Sequence, residues 1–249
     1  MKMIITGGAG KQYSADIVRY FLNENCEVAI FTRSKKRVES DLSELIAKYA
    51  LQLLIKEVDY NNLEALEAAV SSTVEKFNGL DCLINSAATA KLIKVEEFDV
   101  SSWNDVFHLN LTVPVFLSKT CFPYLKKSKN GSILNISSIY GERSPKHFIY
   151  EDSGLNSPLN YGASKAALQY VTKYLSSYWA PNVRVNCLVP GGFFNNQPKN
   201  FITNYVQNVP MGRMAQMGDL GGAAYFLCST EAAYITGQCL SVDGGWSNW

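Results

Sequence analysis

Tyr161 and Lys165 are the residues whose types and spacing point most directly to chemistry. They are four positions apart, so on an α-helix they lie on one face, about one turn from each other. A nearby ammonium favours the ionised form of a phenol and lowers its pKa from the ordinary value of ~10. The pair is therefore predicted to exchange protons with a substrate, although tyrosine and lysine at this spacing also occur on half-exposed helices.

The order of apolar and amphipathic segments predicts the elements that hold this pair. Strands are predicted at 3–6, 27–32, 52–58, 82–85, 132–136, 184–188 and 239–242. Helices are predicted at 14–23, 38–49, 63–77, 103–125, 161–178 and 220–227, with a polar loop before the last of them. This alternation indicates an α/β protein, a single-domain, doubly wound parallel sheet of the Rossmann type over residues 1–249, with helices on both faces.

Composition narrows the class of partner. The chain has 249 residues and a formal charge of +1, which offers no electrostatic reason to bind nucleic acid or a membrane surface, so a small molecule is the expected partner. Its six cysteines are scattered without a Cys-x-x-Cys pair, which predicts reduced thiols, no metal site and a cytoplasmic protein. No run approaches the length of a membrane span, and the apolar run after Met1 is too short for a signal peptide.

A glycine turn between the first strand and the first helix is the first candidate ligand site. Its spacing is Gly7-x-x-Gly10-x-x-Tyr13, so tyrosine occupies the third glycine position of a dinucleotide fingerprint. Backbone N–H groups and the positive helix end at such a turn can hold a pyrophosphate. Tyr13 prevents the closest packing of helix on strand that a glycine allows. We expect Gly7, Gly10 and Tyr13 to bind the cofactor, and a plain strand-to-helix turn is the alternative.

The end of the second strand bears on which nicotinamide cofactor is used. An acidic residue there binds a ribose 2′-hydroxyl, whereas an arginine accommodates a 2′-phosphate. The chain has Thr32-Arg33-Ser34 at this point and no acid. Arg33 and Ser34 therefore predict NADP, with NAD as the alternative. The cations that follow, at 35–37, also fit a solvated helix face.

Polar or small residues end three further strands. Asp59 follows the third strand, Asn85 ends the fourth with Ala87 just beyond it, and Ser138 follows the fifth. Ligands of open α/β sheets bind outside the carboxyl ends of the strands, so Asp59, Asn85 and Ala87 are candidate contacts to an adenine and a ribose. Turn chemistry explains Asp59 and Asn85 equally well. Asn110 lies inside a predicted helix, where asparagine is unfavourable and can bend the backbone or expose a carbonyl that holds a water.

Taken in order, these residues resemble the short-chain dehydrogenase/reductase family. The resemblance covers almost the whole chain and rests on Thr6-Gly7, Asn85-x-Ala87, Asn110, Ser138, Tyr161-x-x-x-Lys165, Pro190-Gly191 and Val242-Asp243-Gly244-Gly245. Two features depart from the family pattern. Lys11-Gln12-Tyr13 replaces an expected glycine, and Ser138 and Tyr161 are 23 positions apart, a longer separation than the family usually has.

The resemblance implies hydride transfer between nicotinamide C4 and a carbonyl or carbinol carbon. Tyr161 would act as general acid or base, and Lys165 would lower its pKa and hold the nicotinamide ribose. Ser138 would hydrogen-bond the substrate oxygen, and Asn110 would hold a water that passes the proton outward. The Pro190-Gly191 turn would line the cofactor site.

Two other functions use parts of the same set of residues. Sugar-nucleotide epimerases and dehydratases that retain NAD carry the same tyrosine and lysine, and the Gly7-x-x-Gly10 spacing resembles theirs. The chain ends soon after Gly245, however, which leaves no separate substrate domain. A non-catalytic dinucleotide-sensing module would have lost part of the catalytic set, and none is lost. An oxidoreductase is therefore expected.

The resemblance also implies assembly and a substrate class. Homo-dimers or homo-tetramers would pair the long helices, and Trp246 and Trp249 would otherwise be costly to expose. The insertion at about 139–160 must leave and re-enter at the catalytic edge, so it is expected to flank the substrate. Candidate substrate contacts are Ser138, Tyr140, Arg143, Lys146 and Phe193. With a loop similar to 191–198, such insertions look like oxidoreductases of bacterial surface-sugar pathways, which predicts a sugar or sugar phosphate, and a plain surface loop is the alternative.

Overall fold

Seven parallel strands form one sheet in the computed structural model, which describes residues 1–8 and 13–248. The strands are β1 Lys2–Thr6, β2 Glu27–Thr32, β3 Leu53–Glu57, β4 Cys82–Asn85, β5 Ser132–Ile136, β6 Arg184–Pro190 and β7 Cys239–Val242. They lie in the order β3-β2-β1-β4-β5-β6-β7. The order reverses direction beside β1, and this is where ligands of doubly wound sheets bind. The predicted fold class is confirmed.

Nine α-helices connect the strands in the described part of the chain. They are α1 Tyr13–Asn23, α2 Lys35–Asp41, α3 Ser43–Lys48, α4 Leu63–Phe77, α5 Val100–Phe107, α6 Val113–Leu125, α7 Leu159–Trp179, α8 Lys199–Val206 and α9 Gly221–Cys228. Helices cover both faces because successive strand residues alternate between them. Met3 and Ile5 pack in the core beneath α1 and α9, whereas Ile4 packs in the core beneath α4 and α6.

The helix predicted at 38–49 and the loop predicted before the last helix both differ from the structure. The single helix predicted at 38–49 is two helices, because Leu42 has non-helical dihedral angles (φ −118, ψ 24) where its buried side chain packs into the core. The first of them begins after Ser34, whose hydroxyl accepts a hydrogen bond from Arg37 N. The polar loop predicted before α9 contains α8, which begins directly after Pro198.

The helix predicted at 103–125 starts earlier and is interrupted. Asp99 caps its first turn by accepting a hydrogen bond from Ser102 N at 2.6 Å, so α5 begins at Val100. Between α5 and α6 the chain widens into a π-turn at His108–Thr112, closed by a bond from Val113 N to His108 O. The distortion predicted at Asn110 is therefore present, and it lies at the centre of this turn.

The insertion folds back onto its own chain. Two short 3₁₀ turns, Ile139–Gly141 and His147–Tyr150, bracket an exposed stretch before α7. Ile139 and Ile149 are buried in a third core cluster, together with Tyr205 of α8 and Trp246. Trp246 is thus buried within its own chain, and Trp249 lies outside the described residues. The argument for assembly from two exposed indoles is wrong for Trp246.

Exposed aromatic side chains lie along α7. Tyr170, Tyr174 and Tyr178 are 68%, 56% and 71% exposed, and their four-residue spacing places them on one face. The rings of Tyr174 and Tyr178 stack with centroids 6.0 Å apart. Across residues 1–8 and 13–248, no helix is long and apolar enough to cross a membrane.

Candidate active site

Helix α7 brings Tyr161 and Lys165 together, as predicted. Lys165 is 2% exposed, and its Nζ donates a hydrogen bond of 2.7 Å to the carbonyl oxygen of Ile136 at the end of β5. The same nitrogen lies 5.7 Å from the centroid of the Tyr161 ring. The ammonium is therefore held between the end of the sheet and the phenol.

The pKa of Tyr161 differs from the expectation. Burial raises the pKa of Tyr161, the nearby phenol of Tyr13 raises it further, and a hydrogen bond with Ser138 lowers it. Burial also lowers the pKa of Lys165 to about 8, an effect that the thiol of Cys187 partly opposes. Removal from water penalises the charged form of both groups, and for Tyr161 this effect is the largest. The net pKa of Tyr161 is therefore raised and not lowered, because burial is the largest effect, and the contribution of Lys165 to it stays a prediction.

Ser138 reaches Tyr161 because the turn that follows it packs tightly on α7. The Ser138 hydroxyl accepts a hydrogen bond from Tyr140 N at 3.2 Å, which closes the turn. Gly162 permits the approach, since a Cβ on this residue would lie 2.9 Å from the carbonyl oxygen of Tyr140. The glycine inside the Tyr161-Lys165 motif thus lets the serine and the tyrosine meet.

Asn110 anchors the catalytic helix from the π-turn. Its side chain is fully buried and donates to the carbonyl oxygen of Thr89 and to the Ser164 hydroxyl, each at 3.0 Å. Its Oδ1 accepts a hydrogen bond from Thr89 N at 2.8 Å. Ser164 in turn donates to the carbonyl oxygen of Tyr161 at 2.8 Å. The side chain therefore fixes one loop and one helix, and its predicted water-holding role stays a prediction.

The glycine turn forms one wall of a cleft of about 280 Å³. The cleft is lined by Gly7, Gly8, Tyr13, Ser14, Thr32, Arg33, Ser34, Arg37, Tyr60, Ser86, Ala87, Ala88 and Leu109. Gly7 and Gly8 have φ of +91° and +63°, a region that disfavours other residues. A Cβ on Gly8 would lie 2.5 Å from Cγ2 of Ile30. Gly10 lies outside the described residues.

This cleft has the shape and donors that a dinucleotide needs. It runs along the carboxyl ends of β1, β2 and β4, and hydroxyls and backbone groups alternate along it. Arg33 is exposed at one end and forms no ion pair within the described residues, whereas Lys35 pairs with Glu39 and Arg37 with Asp41. Arg33 is therefore the cation that remains available to a ligand phosphate.

Two residues expected in the cleft face elsewhere. The Asp59 carboxylate accepts hydrogen bonds from the backbone and side chain of Asn61, so it closes a turn outside the cleft. Asn85 is buried, and its amide donates to Asn135 Oδ1 at 2.8 Å and to the Ser118 hydroxyl at 3.1 Å. Turn chemistry explains Asp59, and packing between the sheet and α6 explains Asn85. Ala87 does line the cleft.

Tyr60 is the cleft residue that the sequence did not reveal. Its hydroxyl donates to the carbonyl oxygen of Phe31 at 2.6 Å and accepts from Gly7 N at 3.1 Å. It thereby ties the end of β2 to the glycine turn. Ser14 and Ser86 were also missed, and their hydroxyls lie 2.8 Å apart across the cleft floor. A tyrosine directly after Asp59 carries no local signal of such a contact.

The turn after β6 lies next to the cleft and contacts its residue Tyr13 through Phe193. Gly191 N donates to the carbonyl oxygen of Val242 at 3.1 Å, which holds the Pro190-Gly191 turn beside β7. Phe193 is buried, and its ring meets the ring of Tyr13 edge to face, with centroids 6.2 Å apart. Tyr13 therefore lines the cleft and also contacts Phe193. It is close enough to Tyr161 to raise the pKa of that residue.

The insertion places its predicted substrate contacts in different environments. The Tyr140 hydroxyl accepts a hydrogen bond from Tyr150, and its ring packs on Trp246. Lys146 Nζ donates a hydrogen bond of 2.8 Å to Asn208 Oδ1 and lies 5.5 Å from the Trp246 ring centroid. Its ammonium is therefore already bound by groups of its own chain.

Arg143 lines a separate groove of about 390 Å³ between the insertion and α7. The floor of this groove is formed by Gly162, Ala163 and Ala166, which lie roughly 100° to 200° around the helix axis from Tyr161. The structure therefore does not bring Arg143 to the catalytic tyrosine.

Comparisons with known proteins agree with this geometry. Residues 8–247 match the family model described as enoyl-(acyl carrier protein) reductase. The 2,5-dichloro-2,5-cyclohexadiene-1,4-diol dehydrogenase of Sphingobium indicum is 33% identical over 98% of this chain and 95% of its own. The L-fucose dehydrogenase of Oryctolagus cuniculus is 30% identical over 98% and 84%. The crystal structure of a short-chain dehydrogenase from Leptospira borgpetersenii with bound NAD+ is 34% identical, with a TM-score of 0.88 over 99% of this chain and 92% of that one.

Proposed function

The chain belongs to the short-chain dehydrogenase/reductase family, and we propose that it reduces a ring ketone, or oxidises the matching secondary alcohol, of a sugar-like substrate. It is an NAD(P)-dependent oxidoreductase that acts on a small molecule. The observation that carries the proposal is the meeting of Ser138, Tyr161 and Lys165 at the carboxyl end of β5, beside the dinucleotide cleft.

Each catalytic side chain has a task that its environment suits. The bound nicotinamide supplies or accepts the hydride. Burial keeps Tyr161 protonated at neutral pH, which is the form that donates a proton to a carbonyl oxygen. Ser138 orients that oxygen by a hydrogen bond, and the nearby Lys165 cation stabilises the phenolate left after the proton has moved. Asn110 keeps α7 in place through Ser164.

NADP is the cofactor we propose. Arg33 would hold the 2′-phosphate, and Ser34 would contribute its hydroxyl or backbone from the first turn of α2. The end of β2 carries no acid that could bind a 2′-hydroxyl. The Leptospira relative was crystallised with NAD+, so the two cofactors must be compared directly on this protein.

A neutral, polyhydroxylated ring is the proposed substrate. Relatives at 33% and 30% identity act on a cyclohexadienediol and on L-fucose, which are both rings that bear hydroxyls. Lys146 is paired with Asn208, and Arg143 lines the outer groove, so neither cation supports a phosphate group on the substrate. Tyr140, which is bonded to Ser138 through its backbone N–H, and Tyr150, which is bonded to Tyr140, offer ring faces beside the catalytic serine.

Two further proposals concern assembly and location. The row of exposed tyrosines on α7 supports a homo-dimer or homo-tetramer that buries this face. All six cysteines are free, which supports action in a reducing compartment such as the cytoplasm.

A substrate panel tests the proposal. NADPH and NADH oxidation would be measured with keto-sugars, cyclic ketones and acyl thioesters, and fastest turnover on a ring ketone is expected. If acyl thioesters were turned over fastest, the substrate would be an acyl thioester and not a ring ketone.

Tyr161→Phe should lower kcat by ~10²–10⁴-fold and leave the cofactor Kd nearly unchanged, since it removes only the proton donor. Near wild-type turnover in this variant would contradict the assignment of Tyr161 as the proton donor.

A further inference from the structure

Tyr205 of α8 makes a contact that no motif of the chain indicates. It is 2% exposed, and its hydroxyl accepts a hydrogen bond of 2.6 Å from the backbone N–H of Gly192. The packing is close, since a Cβ on Gly192 would lie 2.7 Å from Cζ of Tyr205. A tyrosine from a helix outside the sheet therefore holds the turn after β6.

The segment that Tyr205 holds is part of the active-site wall. Gly192 directly precedes Phe193, whose ring meets the Tyr13 ring at 6.2 Å with an interplanar angle of 75°. Tyr13 lines the dinucleotide cleft and influences the ionisation of Tyr161. A shift of Gly192 would thus move the wall between the cleft and the catalytic tyrosine.

The Tyr205 ring is held as firmly as its hydroxyl. It stacks on Trp246 with centroids 6.3 Å apart and an interplanar angle of 16°, and it packs against Phe201 one turn earlier in α8. Trp246 in turn meets the ring of Tyr140 at 5.8 Å and 90°. Tyr140 N donates to the Ser138 hydroxyl, so the aromatic series runs from Gly192 to the catalytic serine.

We propose that Tyr205 is a positioning residue, which fixes the Gly192-Phe193 segment against the nicotinamide end of the cofactor cleft and aligns it with the Ser138 turn. The inference rests on the proposed function, because it assumes that the cleft binds a nicotinamide dinucleotide. A second anchor of the segment, Ala215 N to the carbonyl oxygen of Gly192 at 2.9 Å, does not involve Tyr205. Loss of the Tyr205 hydroxyl should therefore shift the segment without unfolding it.

Tyr205→Phe tests this, since it keeps the ring and its stacking and removes only the acceptor of Gly192 N. We expect the Kd of the preferred reduced cofactor to rise about tenfold and kcat to fall as well, the effect of leaving a buried donor unpaired. The adenosine fragments 5′-AMP and 2′,5′-ADP should bind as in the wild type, because they lack the nicotinamide end. Tyr234→Phe, at a fully exposed position, is the matched control and should change none of these values.

The outcomes separate the inference from the proposed function. Equal losses for the whole cofactor and the fragments, or no loss for either, would overturn the positioning role of Tyr205. A wild-type protein that binds neither NADPH nor NADH would overturn the proposed function itself. If Tyr205→Phe fails to fold, Gly192→Ala displaces the same segment, because its Cβ would lie 2.7 Å from Cζ of Tyr205, and the same selective loss of whole-cofactor affinity is required of it.

Discussion

Replacing Lys165 by methionine should abolish catalysis and yet leave the protein at least as stable at pH 7. Lys165 is 2% exposed, and among the described residues its ammonium has the carbonyl oxygen of Ile136 as its one hydrogen-bond partner. Its pKa falls from 10.5 to about 8 through burial. Methionine keeps a long flexible chain of similar shape in the same space and carries no charge.

The magnitude follows from linkage between protonation and folding. A shift of one pKa unit corresponds to about 1.4 kcal/mol, so burial of the charged lysine costs about 3 kcal/mol below pH 8. Methionine leaves the Ile136 carbonyl unpaired, which costs about 1–3 kcal/mol at every pH. At pH 7 the variant should therefore be about 0–2 kcal/mol more stable than the wild type.

The pH dependence separates these two effects. The folded wild type releases the Lys165 proton near pH 8, whereas the unfolded chain keeps it until about pH 10.5, so the unfolded state binds more protons in this window. Wild-type stability then rises with pH relative to the variant, by about 2–3 kcal/mol between pH 7 and pH 10. Below pH 8 both states are protonated, and the difference between the two proteins should be constant.

Urea unfolding of both proteins at pH 7, 8, 9 and 10 measures this difference. Lys173→Met removes an exposed lysine two turns further along α7 and controls for loss of a lysine charge as such. A Lys165→Met variant whose stability relative to the wild type does not change from pH 7 to pH 10 would refute the reasoning. So would a loss of several kcal/mol at pH 7, since that would mean the ammonium stabilises the fold.

The remaining predictions concern the cofactor, the catalytic turn and assembly. Arg33→Ala should raise the Kd of NADPH by the worth of a charged hydrogen bond, roughly 1.5–3 kcal/mol, and leave NADH almost unchanged in fluorescence titrations. Lys36→Ala, an exposed cation that does not line the cleft, is the control, and equal losses for both cofactors would show that the role of Arg33 was misinterpreted. Gly162→Ala should lower kcat more than it raises KM in steady-state assays, because its Cβ would lie 2.9 Å from the Tyr140 carbonyl oxygen and push away the serine turn. Light scattering at micromolar concentration should give a dimer or tetramer, and Tyr174→Glu should reduce that mass; a monomeric wild type would contradict the proposed interface.

The fold was predictable because its signal is repeated along the chain. All seven strands had predicted positions within two residues at each end, since apolar runs bounded by turns recur between amphipathic helices. Helix α8 escaped notice among polar residues, although Phe201 and Tyr205 have the spacing of one helix face. The break at Leu42 had no local signal, because tertiary packing of that side chain decides its backbone conformation.

The site was predictable where its residues form local motifs and was missed where they meet only in space. Tyr161 and Lys165 lie on one helix, so their proximity follows from spacing alone. Tyr60 and Tyr205 each hold a glycine backbone N–H from a different element, and no spacing in the sequence connects them to it. Asp59 shows the opposite difficulty, since a carboxylate at a strand end serves a turn as readily as a ligand, and its contact with a cofactor stays a prediction.

The raised pKa of Tyr161 bears on its proposed role as a proton donor. Charge alone would have Lys165 ionise the phenol, but both groups are buried, and loss of water disfavours phenolate and ammonium alike. At neutral pH, Tyr161 therefore keeps its proton, and Lys165, with a pKa of about 8, keeps most of its charge. Within the described part of the chain, no carboxylate pairs with the Lys165 ammonium that lies beside this proton donor. When Tyr161 gives its proton to a carbonyl oxygen, the new phenolate neutralises a buried ammonium that was costly until that moment. The stability lost in burying Lys165 would thus be recovered as the proton moves to the substrate oxygen.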